Sequence, residues 1–416
     1  MSVSRAEPSW HPGTMREPSG PGKSRLPGGC VDAKSLAFAG FISAGYFKLD
    51  PRLAWVPVDL TLLLAVLSIG LAVYSTIRSL SQVPIQLLWI CSLFAAFAIC
   101  LFWTAWTPPA ADKVARLFTL TFLSMILPLL LFRTPADIHR FFNALTLAGF
   151  LLALDATSIL LTAPELHRLS GGNANTGAFA HAVIAAALWL TVLGVEGRMP
   201  LHLSLLSVGP FVALAFASGS RGPLLAQVCT LLVGGVLFYR KSARTVCRFG
   251  ALALSVALYL YLGSLIAPDW STDRIRSFLQ GTLGGSELAR LEVYALALDQ
   301  LASYPLGLGW GAFKELHYLG HPHNLLLEIF LEAGMVGGVV FVALVITGVR
   351  KVHRCARQSR DEGPRALFLM ILFTSIEAMV GGDVNDHRLL LALVALALAC
   401  PSIWGAKLTS RTRHGH

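Results

Sequence analysis

The sequence predicts an all-α fold, a polytopic membrane helix bundle of about twelve transmembrane helices with one large external loop containing an amphipathic helix. Three observations predict it. Apolar residues make up 55% of the 416 and charged residues 13%, whereas a soluble domain carries about one quarter charged residues. Successive apolar runs, separated by short polar breaks, are each long enough to cross roughly 30 Å of hydrocarbon as a helix. The ten-residue alternation of a membrane β-barrel does not occur.

The apolar runs fall near 34–48, 57–76, 84–106, 115–132, 141–162, 177–195, 199–218, 223–239, 246–267, 324–349, 365–381 and 388–406. The first is the shortest and contains two glycines. Residues 1–33 open on a stretch rich in Pro, Gly and Ser with four basic residues and no apolar core. That composition predicts a disordered cytoplasmic tail rather than a signal peptide. Residues 34–406 form the transmembrane unit, and 407–416 form a second cytoplasmic tail.

The net charge of +10 would suit nucleic acid, but its distribution argues for topology instead. Arg240, Lys241, Arg244 and Arg248 occupy one short link, and Arg350, Lys351, Arg354, Arg357, Arg360 and Arg365 another. Both links are therefore expected in the cytoplasm. With twelve spans both basic termini also fall inside. The loop 163–176, the turn Ser218–Gly222 and the long loop 268–323 then share the outer side. None of the seven cysteines (30, 91, 100, 229, 247, 355 and 400) falls in the long loop, so no disulfide framework is indicated there.

Within the long loop, Leu291, Tyr294, Leu298 and Leu301 recur at helical spacing and predict an amphipathic helix over 287–303. Ser286 is its expected N-cap, and Tyr304-Pro305 ends it. Such a helix lies on the bilayer surface or packs over the bundle.

The candidate chemistry gathers on this side. Arg221, in Ser218-Gly-Ser220-Arg-Gly-Pro223, stands at the mouth of two spans, where a guanidinium snorkels or meets an anion. Arg290 stands one turn before Tyr294, and two guanidinium forks match a pyrophosphate. His317, His321 and His323 form H-x3-H-x-H before Asn324. A histidine there titrates near neutrality and takes a proton from a hydroxyl. The spacing also permits zinc, but no acidic or cysteine partner lies nearby. Glu328 and Glu332, one turn apart below His323, must face the bundle interior and either orient a partner or lock helices together. Asp155 and Glu377 stand singly in other spans, where a structural hydrogen bond is the expected role. Gly334, Gly337 and Gly338 suit close helix packing. Arg168 and Gly171-Gly-Asn-Ala-Asn175 suit sugar hydroxyls or an ordinary turn.

Several of these stretches resemble one family. Ser218-Gly-Ser-Arg221-Gly222 before an apolar span resembles the Ser-Arg-Gly element of the O-antigen ligase and polymerase superfamily. Tyr304-Pro-Leu-Gly-Leu-Gly-Trp-Gly311 resembles the Pro/Gly-rich stretch of that superfamily's large periplasmic loop. His323-Asn324-x-x-Leu, running on to Glu332-x-Gly334-x-x-Gly337, resembles its His-Asn element, and Arg168 to Asn175 is similar to its Arg…Asn-Pro-Asn element with Ala174 in place of proline. The resemblance covers about residues 160–345 and is closest to the lipopolysaccharide ligases.

The resemblance implies a donor glycan on undecaprenyl pyrophosphate, a lipid A-core acceptor and a periplasmic site in a bacterial inner membrane. On the residues themselves, Arg221 and Arg290 are expected on the pyrophosphate and His323 is expected as the base, with His321 the alternative for that role; Arg168, Asn175, Ser220 and Asn324 are further site positions. Neither cofactor nor metal is expected; a metal-dependent alternative would use Asp50 in the first external loop. Two other readings stand beside it. One is an O-antigen polymerase that joins lipid-linked repeat units. The other is a transporter of lipid-linked glycans, although transporters usually place charges at the midplane and show two similar halves.

Overall fold

The computed structural model of the chain describes residues 31–47, 50–53, 55–79, 84–162, 169, 175–239, 242–266, 273, 280 and 285–405. Among them there are helices and turns and no strand. In chain order the helices are α1 Ala33–Ser43, α2 Leu60–Ser79, α3 Gln86–Ile99, α4 Pro108–Leu131, α5 Pro135–Thr162, α6 Thr176–Glu196 and α7 Leu201–Ala217. They continue with α8 Arg221–Tyr239, α9 Ala243–Ile266, α10 Gly285–Ser303, α11 Phe313–Leu316, α12 Leu325–Gln358, α13 Gly363–Ala378 and α14 Arg388–Trp404.

A helix occupies each of the twelve apolar runs, and α10 occupies the predicted loop helix. Among the described residues seven helices (α2, α4, α5, α6, α8, α9 and α12) are long and apolar enough to cross a membrane; α3, α7 and α14 are apolar but shorter. The 11 residues of α1 rise only about 16 Å at 1.5 Å each. This falls short of the 34–48 expected, because the chain tightens into a 3-10 turn at Ala44–Tyr46. The tails expected at 1–33 and 407–416 lie, apart from 31–33, outside the described residues.

Burial follows the apolar pattern. An all-round apolar helix belongs in a core, and α6 and α14 occupy it, with Phe179, Ile184, Leu393 and Leu396 fully enclosed. Helices α2 and α9 instead turn Leu62, Val66, Leu254 and Leu258 outward, as a lipid-facing surface requires.

The charges collect at two ends of the bundle. At one end Lys34 meets Asp137 at 2.6 Å and His139 meets Asp361 at 2.9 Å. There Arg198 also meets Glu362 at 3.0 Å, and Arg365 meets Glu196 at 2.6 Å. These pairs tie the starts of α1, α5 and α13 to the end of α6. The opposite end carries the turn before α8, the loop helix and the α13–α14 turn.

Helix α12 is broken at Gly334, whose φ of 69° and ψ of −176° lie outside the helical region. A break frees backbone groups that must be satisfied elsewhere. The Pro/Gly-rich segment supplies the partners: Leu308 N donates to Leu331 O at 2.8 Å, Gly309 N to Glu332 O at 3.1 Å, and Pro305 O accepts from Met335 N at 2.9 Å. A Cβ on Gly334 would stand 2.3 Å from Leu306 O. This glycine therefore admits a loop, where helix–helix packing was expected. Trp310 locks the same segment inward, its indole Nε1 donating to Phe97 O at 3.0 Å.

Candidate functional site

The site is assembled at the start of α12. Asn324 caps that helix, its side chain accepting from Leu327 N at 3.1 Å, as Asn at an N-cap does. His323 just before it has φ 53° and is the one non-glycine residue with positive φ among those described. A non-glycine residue held there costs about 1 kcal/mol or more and turns the chain sharply between Pro322 and the helix. The turn brings the rings of His321 and His323 together, with centroids 4.2 Å apart.

Helix α10 covers this turn. Its buried face is Val293 and Ala297, packed with Phe313 of α11 and Leu331 of α12, with Tyr294 and Leu301 at the margin. Periodicity placed Leu291 and Leu298 on that face; they are 53% and 57% exposed. The small Ala297 and the β-branched Val293 let the helix backbone approach α12 more closely than two leucines would. Tyr294 Oη lies 3.4 Å from His323 O and 3.2 Å from Met379 O, so its one O–H proton is shared between the two carbonyls. Burial pushes its phenol up, outweighing the cation of Arg290, and keeps it a donor. Arg290, partly buried on the same helix, acts on His323. That imidazole is pushed down to about 4 by burial first, then by the positive charges of His321 and Arg290. It is therefore neutral at physiological pH and has a lone pair to offer. His321 is also lowered, again by burial first.

Arg221 is the first residue of α8. The turn ahead of it is closed by Ser218, whose hydroxyl donates to Ala215 O at 2.7 Å and accepts from Ser220 N at 3.3 Å, with Gly219 at φ 69°. Ser220 makes no side-chain cap bond. A helix N-terminus directs its amides and dipole toward an anion, and the guanidinium adds a full charge. A Cβ on Gly222 would stand 3.0 Å from Val380 Cγ2. The α8 turn and Tyr294 thus bear on adjoining residues, Val380 and Met379. Loop helix, histidine turn and Ser-Arg-Gly turn meet around the end of α13.

Residues 203–342 match the family model described as O-antigen ligase. An O-antigen ligase of Pseudomonas aeruginosa is 30% identical over 164 residues, which cover 38% of this chain and 37% of that relative. Both findings support the O-antigen ligase superfamily. The aligned stretch spans just over a third of the relative's length. The family match includes Arg221, Arg290 and His323 and leaves out Arg168 and Asn175.

Of those last two, Arg168 lies outside the described residues. Asn175 is an exposed N-cap of α6, accepting from Gly177 N at 2.9 Å; this contact is the turn role its sequence allowed. His317 accepts from Leu319 N at 3.2 Å through Nδ1 and stacks on Phe313, and it is not part of the 321–323 ring pair. Among the described residues the one group with metal-ligand spacing is His139, Asp361 and Glu362, at the opposite end of the bundle. Asp155, expected to stand singly, meets Arg52 at 2.6 Å, and the same guanidinium holds Asp50, whose carboxyl it keeps low. Glu377 meets His181 at 3.2 Å. A cleft of 630 Å³ opens between α5, α6 and α7, lined by Leu147, Phe150, Leu154, Leu206 and Phe211, and contains none of the site residues.

Sequence reasoning missed two parts. Lys113 of α4 lies buried at 2.6 Å from both Glu328 and Glu332. The α13–α14 turn carries Asp383, Asp386 and His387, whose charges act on His321 together with that of Lys113. Asp386 is raised there by burial first and then by Asp383. No spacing rule reveals either, since Lys113 and Glu328 are 215 residues apart.

Proposed function

We propose that the chain is a membrane glycosyltransferase of the O-antigen ligase type. It moves a glycan from undecaprenyl pyrophosphate to the lipid A-core oligosaccharide, at the periplasmic face of a bacterial inner membrane, by a metal-independent inverting displacement. The observation that carries the reading is the shared location of His323, Arg290 and the Ser-Arg-Gly turn around one end of α13. Twelve crossings with cytoplasmic termini belong to the same proposal. The separation of charge pairs at one end from the histidine turn at the other supports it.

In the reaction the acceptor hydroxyl attacks the anomeric carbon, and the new C–O bond forms as the bond from that carbon to the pyrophosphate breaks. His323 takes the hydroxyl proton, and undecaprenyl pyrophosphate leaves with the bonding electrons. Arg221 and Arg290 meet the charge that grows on the leaving oxygen, which is where fixed cations lower a barrier most. The neutral imidazole of His323 suits it to accept the proton, and arrival of the diphosphate anion beside Arg290 raises its basicity when it is needed. Asn324 and Tyr294 hold the turn that presents it. Ser220, His321, Asn175 and Arg168 are candidates for glycan contacts.

Purified protein in proteoliposomes, given lipid-linked glycan and lipid A-core, should form the joined product without an ion gradient, and His323→Ala should abolish it. Chain extension of the lipid-linked glycan alone would indicate a polymerase. Movement of donor across the bilayer without product would sink the reading.

A further inference from the structure

Lys113 is a full charge inside an apolar bundle, and such a group persists only where partners hold it. Its ammonium sits 2.6 Å from a carboxylate oxygen of Glu328 and 2.6 Å from one of Glu332, and all three side chains are buried. The cluster reaches further. Glu328 Oε1 also accepts from Val384 N at 3.3 Å. Asn385 Nδ2 donates to Lys113 O at 3.3 Å, while Asn385 Oδ1 accepts from Thr121 Oγ1 at 2.7 Å. The backbone carbonyl of Glu332 accepts from Gly309 N at 3.1 Å, in the segment that docks into the break at Gly334.

Four stretches of chain therefore converge on one ammonium: α4, the first two turns of α12 immediately after His323-Asn324, the Pro/Gly-rich segment, and the α13–α14 turn. That turn begins at Met379 and Val380, which receive Tyr294 and Gly222, and it carries the acids that face His321. We propose that Lys113, through Glu328, is a positioning residue for the transfer reaction, fixing the histidine turn against the α13–α14 turn. This inference rests on the transferase reading above but assigns a role outside it. Both Lys113 and Glu328 are buried in the bundle, so the role is one of positioning. Glu328 ties both turns, whereas Glu332 anchors the loop. The groups facing His321 from the packed elements are Lys113, Asp383, Asp386 and His387, with His323 alongside.

Two variants test it in the reconstituted full-length protein. Glu328→Leu leaves Lys113 balanced one-to-one by Glu332 yet unties Val384. The triple change Lys113→Met, Glu328→Gln, Glu332→Gln removes every charge while keeping volume. Each is expected to lower kcat about tenfold or more with donor KM unchanged, at an unaltered thermal midpoint. A role in stability alone would lower the midpoint and would not separate kcat from donor KM in this way. Glu332→Gln, which keeps the Val384 tie, should retain kcat within about threefold. A folded triple variant with unchanged kcat overturns the proposal. If the triple variant is not recovered folded, Glu328→Leu decides by the same measure, and loss of fold in both while Glu332→Gln is unaffected leaves a structural knot and overturns the positioning role. Movement of donor across the bilayer by the unaltered protein without joined product would instead sink the transferase reading, so the two failures are distinct.

Discussion

Tyr294 of the loop helix holds the backbone of His323 from above, its hydroxyl 3.4 Å from that residue's carbonyl oxygen and 3.2 Å from that of Met379. One side chain thus links the loop to the histidine turn and to the end of α13. Tyr294→Phe removes the donor and leaves the ring packed. A hydrogen bond of this kind contributes about 0.5–1.5 kcal/mol net, so kcat for transfer should fall several-fold to about tenfold with the thermal midpoint nearly unchanged. Equal kcat in the two proteins would show that the hydroxyl does not steady His323.

The conformation of His323 separates its backbone role from its imidazole. Its φ of 53° is tolerated best by Gly, Asn and Asp. His323→Asn should therefore fold as the parent does, with a midpoint within a few degrees, yet lose about a hundredfold or more in kcat, as removal of a general base does. His321→Ala should keep measurable transfer. The reverse pattern would assign the base to His321.

The pH dependence follows from burial. His323 titrates near 4 in the folded protein, held down by desolvation, by His321 and by Arg290, against about 6.5 in an unfolded chain. The unfolded chain binds the proton more readily, so this group's contribution to stability is present above about 6.5 and is lost as pH falls toward 4. The acid limb of kcat/KM, which reports free enzyme, should lie near 4, and that of kcat should lie higher, because bound diphosphate offsets Arg290. Arg290→Gln should raise the kcat/KM limb. A limb that stays in place in this variant would mean that Arg290 does not act on His323.

Much of this architecture was legible in the sequence because apolar length and helical spacing are local properties. Each apolar run holds a helix, α10 covers the predicted 287–303, and Asn324 caps α12. The motifs of the resemblance include Arg221 and His323, and Arg290 was singled out by its place on the loop helix beside Tyr294. Long-range pairing was not legible. Lys113 precedes the apolar run that starts near 115, so hydropathy does not mark it as buried, while Glu328 and Glu332 call for a buried partner without naming it. The face of α10 was half misread because Val293 and Ala297 are less apolar than Leu291 and Leu298, yet small enough to pack. The cluster in the α13–α14 turn follows no motif, and only the fold brings Asp383 and Asp386 to His321.

Gly334 tests whether the broken helix serves the site. Alanine there must adopt φ 69° with its Cβ 2.3 Å from Leu306 O and 2.9 Å from Gly307 N. Strain of this sort costs about 1–3 kcal/mol, and here it falls on backbone that cannot swing aside. The helix has a way to relieve it, which is to straighten and expel the 305–309 segment. Doing so would free the carbonyls of Leu331 and Glu332 for ordinary helical bonding and leave Trp310 without its buried seat. Gly334→Ala should therefore lower the thermal midpoint by several degrees, quench or shift the Trp310 emission, and reduce transfer because α10 loses its anchor. Amide exchange should rise across 305–311 while α14 stays protected. Exchange that rises equally in α14 would indicate global unfolding and remove the case for a docked loop as a separate unit.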